Sequence, residues 1–310
     1  GDPVIVAVGS KGSVASWTCQ PNGVTRQYFN EWAWGTNVWL AGASDGDHYR
    51  TPYYSSHGSD VTAVSNTKTD ANTIRTAMTL ATGVTLTQVV TLYVGDYYYK
   101  THWELANASG GDFADVRLIH GGDTYFGGFD SARSWWNAEN QMVYVNNEDF
   151  SNSGIMGFAG GSATPSDHYY GGAYYTGYGY ADSDGLLSDT ADPTFLDAGY
   201  QLQWNRAALA DGETWTIEAF TTWTDPSSVQ AIAPGEELAQ PGQTVTLDYR
   251  VHNLSADTDQ TVTLDLSAAA SGPGWTVDIP DEYQTLVLHS LELQSVPVSV
   301  TVPAGASADD

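Results

Sequence analysis

The chain is short of cysteine, of lysine and of long apolar runs, and each shortage removes a class of protein. Cys19 stands alone among 310 residues, so no disulfide closes within the chain. No CxxC, CxxCH or Cys/His ligand spacing is present for an iron–sulfur cluster, haem or structural zinc. Cys19 reads as a small buried side chain, with pairing between chains as its other use. Lysine occurs only at Lys11, Lys68 and Lys100, and acids outnumber bases 37 to 10 for a formal net charge of −27. Such a surface repels phosphates and anionic lipid, so neither nucleic acid nor membrane insertion is expected. It suits a salty or calcium-rich exterior, where screening limits self-repulsion. No apolar run reaches the roughly 20 residues that span a bilayer. Gly1 stands where an initiator Met would be, which fits a processed terminus and a secreted or cell-surface location.

Helical periodicity is nearly absent as well. What is present is alternation: β-branched and aromatic residues exchange with polar ones in short stretches bounded by Gly, Asn, Asp and Pro. The clearest strands are expected at residues 4–8, 73–80, 85–94, 98–107, 115–120, 141–146, 199–204 and 214–223. This is an all-β pattern, a large antiparallel β-sandwich. Around Asp225-Pro226 the Trp and Tyr content thins and a Val/Thr/Leu alternation takes over, which places a domain boundary at about residue 227. Residues 228–310 then read as a smaller Ig-like sandwich, with strands at 229–233, 244–253, 260–267, 275–279 and 291–302 and a weaker one near Leu286.

Two resemblances add to this reading. The segments Ala233-Pro234-Gly235-Glu236, Pro241-Gly242-Gln243-Thr244-Val245, Gly274-Trp275-Thr276-Val277 and Val300-Thr301-Val302-Pro303-Ala304 resemble the Ig-like modules appended to secreted glycosidases and adhesins. In that family a further strand follows the Val-Pro-Ala-Gly turn, so the resemblance implies a domain lacking its last strand. Residues 1–227 resemble the supersandwich of galactose mutarotases, through Gln27-Tyr28-Phe29 to Trp34-Gly35, Trp103-Glu104-Leu105-Ala106-Asn107 and Ile119-His120-Gly121-Gly122-Asp123. That resemblance implies a fold and not an activity.

Several constellations could carry chemistry. Asp residues recur in Gly-containing loops, at Asp45-Gly46-Asp47, at Asp123 with Asp130, and at Asp182-Ser183-Asp184-Gly185 followed by Asp189, Asp192 and Asp197. Calcium takes six to eight oxygen ligands from such loops, and Asp182, Asp184, Asp189 and Asp192 are the expected set; turn formation on a wet acidic surface is the plainer alternative. His120 and Asp123 lie at a strand end, and His102 and Glu104 share one strand face. Facing one pocket, the four could do the acid–base work that a His and a carboxylate do in mutarotase-like enzymes, but no late catalytic Glu motif completes the set; a structural pair is the alternative. Of Trp135 and Trp136, one ring is expected outside, able to stack on a sugar. Asn107-Ala108-Ser109 and Asn253-Leu254-Ser255 match the N-glycosylation pattern.

No nucleophile elbow, phosphate loop, dinucleotide fingerprint or metalloprotease helix occurs, so no catalytic assignment follows. The leading expectation is an extracellular structural subunit that assembles with copies of itself. The Tyr/Gly segment with Tyr174, Tyr175 and Tyr178 would supply contact, and Val4, Ile5, Val6 and Val8 would be a donor strand for the open Ig edge. The second expectation is a secreted carbohydrate-binding or carbohydrate-processing protein whose partners are glycans.

Overall fold

The computed structural model describes residues 4–19, 25–29, 34–43, 48–51, 60–92, 98–125, 130–138, 141–146, 155–161, 164–183, 186–223, 229–232, 239–253, 259–264, 274–289 and 292–306. It divides into two compact units, Gly1–Thr224 and Asp225–Asp310.

In chain order the first unit begins with β1 (Val4–Val8), β2 (Val14–Cys19), β3 (Thr25–Phe29), β4 (Trp34–Ala41), β5 (His48–Arg50) and β6 (Thr62–Lys68). It continues with β7 (Thr73–Thr79), β8 (Val84–Thr91), β9 (Tyr98–Asn107), β10 (Phe113–Asp123), β11 (Arg133–Asn137) and β12 (Met142–Asn146). It ends with β13 (Ile155–Gly160), β14 (His168–Ala173), the helix α1 (Tyr174–Asp182), β15 (Thr190–Ala191), β16 (Ala198–Leu209) and β17 (Thr214–Thr222). An eight-stranded sheet runs β11-β12-β13-β17-β9-β8-β7-β6, and a six-stranded sheet runs β15-β14-β16-β10-β4-β5. A third sheet is β1-β2-β3.

The pairing is antiparallel apart from β14 with β15, and the inner faces of the two large sheets make one core, an all-β sandwich. β9 shows how the sequence builds it: Tyr99, Thr101, Trp103, Leu105 and Asn107 are buried, and the residues between them face outward. Trp34, Trp103, Phe158, Tyr200 and Trp204 fill the centre. Trp103 lies 5.8 Å from Trp204, and Trp34 lies 4.8 Å edge-on to Tyr200.

Two expectations are corrected here. β1 is paired along its whole length with β2, from Val4 opposite Thr18 to Val8 opposite Val14. Val4 is buried in the core of its own unit, so Val4, Ile5, Val6 and Val8 do not serve as a donor strand for another copy. The Tyr/Gly segment is not a contact loop: its first part is β14 and its second is α1. Gly177 and Gly179 disfavour a helix by propensity, and no side chain caps its N-terminus. Packing overrides that, because Gly177, Tyr178 and Ala181 are buried against the sheet. A Cβ on Gly177 would sit 3.2 Å from Tyr170 and 3.3 Å from Gln201. Tyr178 is thereby buried, Tyr174 is half-buried, and only Tyr175 projects, at 67% exposed.

The second unit holds β18 (Val229–Ile232), β19 (Thr244–Asn253), β20 (Gln260–Thr263), β21 (Thr276–Asp278), β22 (Thr285–Leu288) and β23 (Leu293–Thr301). They form a four-stranded sheet β18-β19-β23-β21 and a pair β20-β22. Val251, Ile279, Leu286, Leu288, Val296 and Val298 are its core.

Candidate functional site

One of the two edge strands of the eight-stranded sheet, among the described residues, is β11, and it carries the adjacent tryptophans. Alternation sends their rings to opposite faces. Trp136 packs inward, stacked on Tyr169 with ring centres 3.8 Å apart and planes 2° from parallel. Trp135 is 36% exposed and faces outward, opposite Tyr144 on β12. Its indole N–H donates to Asn146 Oδ1 at 3.1 Å, which fixes the plane of the ring. On the same strand Arg133 donates to Pro193 O at 2.9 Å and lies 5.6 Å from the centre of the Phe195 ring. The result is a fixed aromatic surface at a sheet edge, with an amide and a guanidinium beside it.

A second feature lies beneath α1. Ligand oxygens of Asp123, Asp130 and Asp197 all fall within 4.8 Å of one another. Asp123 ends β10, where its backbone N–H donates to the Tyr178 hydroxyl at 3.1 Å, and Asp197 accepts from the Tyr174 N–H through its backbone carbonyl at 3.1 Å. Oδ1 of Asp123 and Oδ1 of Asp197 are buried with no hydrogen-bond partner among the described residues. Burial, then Asp197, then Asp130 push the Asp123 carboxyl up to about 8. Burial and then Asp130 push Asp197 up to about 6. Asp123 so placed keeps its proton at neutral pH; chemically, a hard divalent cation would relieve the same repulsion.

The expected metal set is arranged differently. Asp182 ends α1 in a 2.7 Å ion pair with Arg50, Asp189 bonds His168 Nδ1 at 2.8 Å, and Asp192 accepts from the Thr194 N–H at 2.9 Å. These three form no cluster among the described residues, and Asp184 lies outside them, as do Asp45 and Asp47. The correction has a simple cause: Asp residues close in sequence went to separate turns, while strand pairing of β10 with β16 brought Asp123 and Asp197 together. Asp130 and Asp123 are visible as a loop pair in the sequence; their meeting with Asp197 is not.

The acid–base set is also corrected. His120 is fully buried, ringed by Trp103 at 4.8 Å and by Trp34 and Phe158 at 5.4 Å. Thr36 donates its hydroxyl proton to Gln88 at 3.2 Å and therefore accepts from His120 Nδ1 at 2.9 Å. Burial drives His120 down to about 3, so it stays neutral and does not change charge near pH 7. His102 and Glu104 sit on the outer face of β9, 3.8 Å apart, with Arg75 3.5 Å from Glu104. Asp123 is at α1, on the side of its sheet away from His120, because the two are three residues apart on one strand. The four residues do not share a pocket.

Asn107 is 1% exposed, and its side-chain amide donates to Leu209 O at 3.0 Å and Gly111 O at 2.8 Å. Glycosylation needs that nitrogen free, so this expectation is corrected as well. Asn253 ends β19, and the five residues after it lie outside those described. Among the described residues no helix is long and apolar enough to cross a membrane.

No protein-family model matches this chain, and no curated protein matches it. Solved structures do match. A heparan sulfate lyase HepC mutant from Pedobacter heparinus is 10% identical at a TM-score of 0.37, over 69% of this chain and 28% of its own. The GH36 α-galactosidase AgaB from Geobacillus stearothermophilus is 8% identical at 0.34, over 71% of this chain and 41% of its own. A polysaccharide lyase is 10% identical at 0.40, over 99% of this chain and 43% of its own. The present chain therefore spans less than half the length of each.

Proposed function

We propose that this chain is a secreted carbohydrate-binding protein, a supersandwich-like first unit followed by an Ig-like second, that acts by contact with a glycan. The ring of Trp135 carries the reading. An exposed indole whose plane is set by Asn146 loses little freedom when a sugar stacks on it, and Tyr144 widens the platform across the strand pair. The acidic surface keeps such a protein soluble outside the cell.

Binding to a glycan array, followed by titration of the best oligosaccharide, tests this. Trp135→Ala is expected to weaken that binding at least tenfold, with a change in melting temperature of under about 3 °C because the ring is 36% exposed and lies outside the core. Trp136→Ala is expected to do the reverse, destabilising the unit by about 2–4 kcal/mol through its lost stack on Tyr169. Unchanged oligosaccharide affinity in Trp135→Ala would refute the reading.

A further inference from the structure

The acids that dominate this chain are missing from one part of it. No Asp or Glu stands between Asp2 and Glu31, although the formal net charge is −27. That stretch forms the sheet β1-β2-β3, and its charged residues are Lys11 and Arg26. Two copies of a strongly acidic protein repel each other least where their acids are absent.

β1 is an edge strand of this sheet, with β2 as its one strand partner among the described residues. Which backbone groups face the free edge follows from the hairpin that joins the two strands. There the Gly9 N–H donates to Ser13 O at 2.8 Å, and antiparallel pairs alternate between bonded and unbonded, so Ala7 and Ile5 exchange bonds with Ala15 and Trp17. Val4, Val6 and Val8 therefore turn their N–H and C=O groups away from β2. Asn66 on β6 agrees with that direction, since its amide donates to Val8 O at 3.2 Å. The outward groups of Val4 and Val6 have no partner among the described residues.

A free strand edge is a template for a foreign strand, and proteins blunt such edges by shortness, by charge or by a bulge. The other edge strands of the first unit all do so. β15 has two residues and β5 three, β11 carries Arg133 and β3 Arg26, and β6 carries Lys68 together with a bulge between Ala63 and Ser65. β1 has none of these devices: it reads Val-Ile-Val-Ala-Val and pairs with β2 without a register shift. Ile5 is 44% exposed on its outer face, and Ala7 beside it is exposed too.

The strand is also complementary to itself. Laid antiparallel on a second copy about a two-fold axis at Val6, it sets Val4 opposite Val8 of the other copy and Ile5 opposite Ala7. The outward N–H and C=O groups of the valines then bond across the axis, and each exposed Ile5 side chain lies against the small Ala7. A charged peptide would find no opposite charge on β1, whereas a second β1 matches it in length, chemistry and register. We propose that two copies of this chain pair edge to edge through β1, each β1 keeping its place in its own sheet, to form a two-fold dimer. Pairing uses up the free edge, so association stops at two. The contact is small, which puts the dimer among weak, transient complexes, and salt strengthens it by screening the acids elsewhere on the surface.

Sedimentation velocity of the full chain over a dilution series reaching about millimolar tests it. A monomer–dimer equilibrium is expected, tighter in roughly 0.5 M than in roughly 0.05 M sodium chloride. Ile5→Glu and Ala7→Lys are each expected to weaken it tenfold or more, and the double variant to restore it, because each new carboxylate then faces a new ammonium of the other copy. Both positions are exposed, so all three variants should melt within about 3 °C of the wild type. Trp135→Ala should dimerise as the wild type does, which separates this contact from the glycan platform. A monomer at every concentration, assembly beyond the dimer, a dimer that Ile5→Glu leaves intact, or a double variant no better than the single ones would overturn the proposal.

Discussion

Raising the pH from 4 to 8.5 will lower the thermal stability of the first unit, and Asp123→Asn will abolish most of that fall. The sign follows from proton linkage. The Asp123 carboxyl sits at about 8 in the folded chain against 3.8 for the ordinary group, so between those values the folded state keeps a proton that the unfolded state has released. Its contribution is fully present below pH 3.8, is lost as the pH rises toward 8, and is level above that. Asp197, at about 6, adds to the lower part of the same window. The combined loss is on the order of a few kcal/mol, or roughly 5–15 °C in melting temperature for a unit of this size. The carboxamide of Asn carries no charge to repel Asp197 and Asp130. The variant should therefore melt close to the wild type at pH 4 and well above it at pH 8. Parallel profiles would show that the buried carboxylates do not control stability. The same melts at pH 8 with and without millimolar calcium read whether a cation replaces the proton. A gain in the wild type that is missing from Asp123→Asn assigns calcium to this triad; equal curves leave the proton as its partner.

Gln88→Leu will destabilise the first unit by about 3–5 kcal/mol although it keeps the side chain's size and makes the core more apolar. Gln88 is fully buried and joins three strands at one point: its Oε1 accepts from Trp103 Nε1 at 3.1 Å and from the Thr36 hydroxyl at 3.2 Å, and its amide donates to Gly12 O at 2.8 Å. Leucine would strand an indole N–H, a hydroxyl and a carbonyl in the core, each costing about 1–3 kcal/mol. It would also free the Thr36 hydroxyl, which orients His120. In urea the midpoint should fall while the slope holds, the signature of lost stability without a changed extent of unfolding. A loss below about 1 kcal/mol would mean that the network around His120 is dispensable.

Particular elements show where reading the chain succeeds. β9 alternates at each of its ten positions, and it is legible from Tyr98 to Asn107 because one face meets the core and the other meets solvent. β1 is equally legible as a strand, yet its partner is not, since pairing with β2 depends on which edge lies nearby. β4 escapes the same reading because residues 34–38 are buried on both faces, which erases the alternation. α1 escapes it because its Gly and Tyr content argues against a helix until the sheet beneath it supplies the packing.

The candidate sites divide in the same way. That Trp135 and Trp136 point to opposite faces follows from a period of two along one strand, a local property. That β1 turns Val4, Val6 and Val8 to a free edge, and that Asp197 meets Asp123, follows from registers joining positions six to seventy-six apart. The sequence by itself determined the all-β class, the acidic surface and the strands with one wet face, because hydrophobic alternation and charge are written residue by residue. Only the tertiary structure decided which buried groups share a cluster, because antiparallel pairing turns distance along the chain into contact across a sheet, and a shift of one residue would send each of these side chains to the other face.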